Sequence, residues 1–74
     1  VTVLENAKPF LKVSYPDFPD LGIWTPSNAP FICIEPWFGY SDTVDKSGSL
    51  FEKEGIQILD ANKTFHSAFS IEIL

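Results

Sequence analysis

Short alternating runs, never a sustained helical period, organise the apolar positions of this chain. Phe10-Leu11-Lys12-Val13-Ser14-Tyr15 puts Leu11, Val13 and Tyr15 on one face of an extended segment. The clearest alternation runs from Phe65 to Leu74. Phe65, Phe69, Ile71 and Ile73 fall on one side of it, and His66, Ser70 and Glu72 on the other. Val1 to Glu5, Leu21 to Trp24, Phe31 to Pro36 and Ile56 to Leu59 read as further short strands. The punctuation agrees, with turn chemistry at Asn6 to Pro9 and at Asp60-Ala61-Asn62-Lys63. Pro16 and Pro19 interrupt any ladder between Tyr15 and Leu21, because proline cannot donate to it. Thr25 to Pro30 and the polar stretch Gly39 to Ser49 read as loops. The pattern predicts an all-β chain of largely antiparallel strands, with no internal repeat.

One segment strains that picture. Phe31, Ile32, Cys33 and Ile34 are apolar without a break, and such a strand wants cover on both faces. Glu35 then stands where the next inward side chain belongs. A carboxylate there is exposed by a turn, neutralised by a partner, or kept for chemistry. The chain has 74 residues, enough for one small domain, and a domain near that size buries only roughly 60% of its unfolded surface. It supplies little to lay over an apolar strand. The expectation is that missing sheets, from the rest of the same protein or from another copy, complete the fold. The absence of any Met agrees with a trimmed chain or a piece of a longer one.

Charge narrows the partners. The net charge is −5, all five cations are Lys, and there is no Arg. That argues against nucleic acid, which calls for a basic footprint, and against an anionic membrane surface. It also weakens any case for a phosphorylated ligand held by this segment, since Arg forks are the usual clamps. No stretch is long enough to span a membrane and no signal peptide is visible. The single cysteine, Cys33, has no internal partner and sits in an apolar run. It reads as a buried thiol in a reducing, cytoplasmic setting. No His or second Cys is spaced to form a metal site with it. Aromatic residues make up 15% of the chain, enough to supply both core and ligand walls.

Several stretches together are familiar. They are Pro16-Asp17-Phe18-Pro19, Leu21-Gly22-Ile23-Trp24-Thr25, the block CIEPWFGYSD from Cys33 to Asp42, and Glu52-Lys53-Glu54-Gly55-Ile56. In order and spacing they resemble the end of bacterial aldose 1-epimerase (galactose mutarotase)-like proteins, in the branch encoded with lactose and galactose utilisation genes. The resemblance runs from Val3 to Ile73, and its specific part is the CIEPWFGYSD block. It implies that the chain is the C-terminal portion of a longer galactose mutarotase-like domain, a twisted antiparallel β-supersandwich with an open sugar cleft. The implied reaction is anomer interconversion of a free hexose, galactose or glucose, without metal or organic cofactor. The fragment alone is expected to be inactive.

By the same resemblance Glu35 is the catalytic general base. Trp37, Trp24 and Asp42 are candidate substrate-binding residues, the two indoles as flat walls for sugar C–H faces and Asp42 in shaping the cleft. Pro36 holds Glu35 extended, and Phe31 and Cys33 lie on its side of the strand. The family's acid-side histidines have no counterpart here, and His66, on the polar face of the last strand, is not given that role. Plainer readings stand beside these. Glu35 is then a strand-end carboxylate that reaches water or a lysine, the two Trp pack a core or an interface, and Asp42 caps a turn. Glu35 with Asp42 also has the spacing of a glycosidase pair, but any acidic loop would pass that test. Two further roles remain open for the whole protein, a carbohydrate-binding protein without catalysis and a structural strand-pairing segment.

Overall fold

The computed structural model describes all 74 residues and contains five strands and no α-helix. The strands are β1 (Thr2–Glu5), β2 (Lys8–Ser14), β3 (Asp20–Trp24), β4 (Cys33–Trp37) and β5 (Ser70–Ile73), with one 3₁₀ turn at Leu50–Glu52 between β4 and β5. All pairings are antiparallel. One sheet has the order β1-β2-β5, and the second is the hairpin β3-β4. No helix is long and apolar enough to cross a membrane.

The first hairpin shows why the chain turns where it does. Asn6 and Ala7 both take positive φ, 51° and 65°, and Glu5 pairs with Lys8 across them. This is the two-residue turn whose twist matches that of the flanking strands. β2 therefore starts at Lys8, two residues earlier than the alternation predicts. Pro9 is tolerated because it sits beside a register shift, where Val3 faces Leu11 but Leu4 faces Pro9. Alanine is a poor occupant of the left-handed region. Ala7→Gly is expected to stabilise the protein by about 0.5–1 kcal/mol, net of the added freedom of its unfolded chain. The check is a higher urea midpoint.

β2 is the central strand of its sheet, and Val13 near its C-terminal end is 3% exposed, the one fully buried residue of the chain. Ile71 of β5 faces it on one side, and on the other Val1 exchanges backbone hydrogen bonds with it in both directions, each 2.7 Å. The second packing centre lies between the two sheets. Phe18 from the β2–β3 connection stacks near Phe38 after β4, with ring centroids 4.5 Å apart. Phe69 meets Phe18 at 6.1 Å and Phe65 meets Phe38 at 5.0 Å, both edge to face, an arrangement aromatic quadrupoles favour.

Two expected strands change. Ile56 to Leu59 is irregular, with Ile58 and Leu59 exposed. No neighbouring strand of this chain offers it a ladder. Only Ser70–Ile73 of the alternating C-terminal run is strand. Upstream of it the Ala68 N–H donates to Asp17 Oδ2 at 3.0 Å, so the backbone leaves the sheet to meet a side chain. The apolar run also enters its strand later than expected, at Cys33, and no residue of β4 is fully buried.

The outcome is a slab of 46 × 31 × 15 Å. Its radius of gyration is 16.3 Å, against roughly 11 Å for a compact chain of this length. Its accessible surface is 6266 Å², where a folded monomer of this mass exposes roughly 4,600 Å². The difference, about 1,700 Å², is roughly twice what one partner contributes to a standard protein–protein interface.

Candidate active site on the β3–β4 hairpin

The register of this hairpin decides which side chains share a face. Asp20 faces Trp37, Gly22 faces Glu35, and Trp24 faces Cys33, while Leu21 faces Pro36 and Ile23 faces Ile34. Partners across an antiparallel ladder project to the same side, and successive residues alternate. One face therefore carries Asp20, Trp24, Cys33, Glu35 and Trp37, with a gap at Gly22. The other is aliphatic. Glu35 thus stands between two indoles, Trp37 two residues along its own strand and Trp24 diagonally across the ladder. Phe31 lies outside β4 but keeps to the same end, its ring 6.4 Å from that of Trp24.

Gly22 is the member of this face that periodicity does not reveal. A Cβ built on it would lie 2.8 Å from Trp37 Cζ2, 3.1 Å from Trp37 Cε2 and 3.2 Å from Glu35 Oε2. The indole and the carboxylate oxygen therefore sit side by side over a bare Cα. Glu35 makes neither a hydrogen bond nor an ion pair with another side chain of this segment. Glu35 as a residue is half-buried, and Trp37 and Trp24 are 42% and 57% exposed. None of the three principal hollows of the chain is lined by Glu35 or Trp24. The face is a platform, not a pocket.

The block after Glu35 folds back as a docked turn. Gly39 has φ 84° and Gly55 has φ 82°. The Tyr40 ring covers Gly55, where an added Cβ would meet Tyr40 Cε1 at 2.9 Å. Partial burial, then the negative charges of Glu54 and Asp20, push the Tyr40 phenol above the usual tyrosine range. Gly55→Ala is expected to cost about 1–2 kcal/mol through backbone strain alone, and the displaced Tyr40 ring adds to it. A lowered melting temperature is the readout. Trp37 and Ser41 join Tyr40 around a shallow hollow of about 320 Å³ beside the platform.

Asp42 lies elsewhere. Its carboxylate bridges two lysines, Lys46 Nζ at 3.7 Å and Lys53 Nζ at 3.8 Å, on the wall of a polar hollow of about 590 Å³ formed by the 41–54 loop. Lys46 is four residues on, a spacing legible in sequence, whereas Lys53 is brought in by the fold. Such exposed pairs contribute little to stability. The structure thus brings Glu35, Trp37 and Trp24 together and leaves Asp42 in a separate feature. His66 is exposed, in the irregular segment before β5. No three His, Cys, Asp or Glu side chains converge as a metal site would require.

Comparison with known proteins places this platform in context. No family model and no solved structure matches the chain. It is 35% identical over 65 residues to the chromosomal LacX protein of Lactococcus lactis subsp. lactis, and 34% identical over 65 residues to the plasmid LacX protein of the same organism. Each match takes in 86% of this chain and 22% of the relative, so the chain spans about a fifth of the length of the curated relatives it matches.

Proposed function

We propose that this chain is the C-terminal portion of a cytoplasmic aldose 1-epimerase-like protein, and that Glu35 is the general base in its interconversion of hexose anomers. The observation that carries the reading is the placement of Glu35. It is a carboxylate with no partner in the segment, held on an extended strand between two partly exposed indoles. The similarity to proteins named LacX supports a place in sugar metabolism. The CIEPWFGYSD block supports the finer assignment by its resemblance to the epimerase family.

The chemistry asks little of this segment beyond that carboxylate. Glu35 takes the proton from the C1 hydroxyl of the closed sugar. The C1–O1 bond becomes a carbonyl, the bond from C1 to the ring oxygen breaks, and an acid protonates that oxygen. Rotation about C1–C2 and reclosure on the other carbonyl face, with both protons returned, gives the opposite anomer. No electron transfer or leaving group is involved. The acid belongs to the remainder of the polypeptide, which also covers the aliphatic face and turns the platform into a cleft. Trp37 and Trp24 offer rings to the sugar's C–H faces, while Asp42, paired with Lys46 and Lys53 in a separate hollow, takes no part in this step.

Polarimetry of fresh α-galactose and α-glucose with the complete protein tests the reading. The expected result is a faster approach to equilibrium rotation than in buffer. If neither sugar responds while both still quench the tryptophan fluorescence, the protein binds carbohydrate without catalysis and the epimerase reading fails.

A further inference from the structure

We propose that Gly22 is a positioning residue for the reaction assigned to Glu35, because its bare Cα is the seat on which the Trp37 indole holds the Glu35 carboxylate in place. The inference rests on the epimerase reading and deepens it. Three distances carry it, 2.8 and 3.1 Å from a Cβ at position 22 to Trp37 Cζ2 and Cε2, and 3.2 Å to Glu35 Oε2. Gly22 is the direct ladder partner of Glu35, so any side chain there projects to the carboxylate's own side. No positive φ is required at Gly22, unlike Gly39, Gly48 and Gly55. Backbone strain therefore does not account for glycine at this position, and the space above its Cα does.

The consequence is mechanical. A methyl group at position 22 displaces the wide part of the indole and crowds the carboxylate oxygen beside it. General-base catalysis depends on that oxygen's distance and angle to the C1 hydroxyl, and a shift near 1 Å can cost on the order of 100-fold. The two indole atoms in contact belong to the six-membered ring of tryptophan, the part that phenylalanine does not carry out to the same reach. Trp37→Phe should therefore make room for the methyl group.

The test is a double-mutant cycle of Gly22→Ala and Trp37→Phe in the complete protein, read by polarimetry with kcat and KM separated. Melting temperatures confirm that each variant is folded at the assay temperature. Gly22→Ala alone is expected to lower kcat about 10- to 100-fold, with KM moving less. In the Trp37→Phe background the same substitution is expected to change kcat less than about twofold, a non-additivity that reports on the site because every variant is folded at the assay temperature. A Gly22→Ala protein with near-normal kcat overturns the proposal, and so does an equal loss in both backgrounds. Should Gly22→Ala fail to fold, Trp37→Phe and the double variant still decide the matter, because a tenfold kcat difference between them overturns it. A wild-type protein that does not accelerate mutarotation overturns the epimerase reading itself. That result is separate from an active wild type with an indifferent Gly22.

Discussion

Glu35→Gln in the complete protein is expected to slow mutarotation roughly 100- to 10,000-fold, the range for losing a positioned acid or base. The amide keeps the volume and planarity of the carboxylate but cannot accept the C1 hydroxyl proton. The Glu35 side chain has no hydrogen bond or ion pair within this segment, so the substitution leaves no stranded partner here. Stability should change little. Sugar affinity should fall far less than turnover, because the indoles that flank position 35 are untouched. Polarimetry for rate, and tryptophan fluorescence for binding, separate the two. Near-normal turnover in the variant would remove Glu35 from the mechanism.

The second large effect is on stability. Phe38→Ala should destabilise the protein by about 2–3 kcal/mol, below the 3–5 kcal/mol typical of a fully buried ring because this one is only half-buried. Phe38 touches Phe18 at 4.5 Å and Phe65 at 5.0 Å between ring centroids, and Phe18 leads on to Phe69. Truncating it opens the middle of a chain of rings that joins the β3–β4 hairpin to the segment before β5. Urea unfolding of the complete protein, with its slope compared to wild type, reports the loss. A change under about 0.5 kcal/mol, the level of an ordinary surface substitution, would show that the aromatic cluster does not hold the sheets together.

Much of the fold was legible because its signals are local. β1 to β4 follow from short apolar runs bounded by Asn6-Ala7, Pro16, Pro19 and Pro30. Strand character at Ile56 to Leu59 was not decidable that way. A strand exists only with a neighbour to pair with, and three apolar residues around Gln57 do not say whether one is present. The C-terminal alternation misled for a related reason. Phe65 and Phe69 have the right spacing for a strand, but Asp17 captures the Ala68 amide and Phe38 and Phe18 capture the rings. For the site, the familiar stretches singled out Glu35, Trp37, Trp24 and Asp42 as candidates, and the register puts the first three on one face while Asp42 lies on the wall of the 41–54 loop. Gly22 stayed hidden, since in sequence a glycine reads as an interruption and its contribution here is empty space.

The pairing of β5 with β2 has a kinetic consequence. Leu11 faces Ile73 across sixty-two positions of sequence, whereas Trp24 faces Cys33 across nine. Closing the longer loop costs about 2 kcal/mol more in chain entropy, and contacts of such separation slow folding. The β1–β2 and β3–β4 hairpins should therefore form first, on the microsecond scale of isolated hairpins. β5 should arrive last, leaving one edge of β2 open until the final residues of the segment have been synthesised.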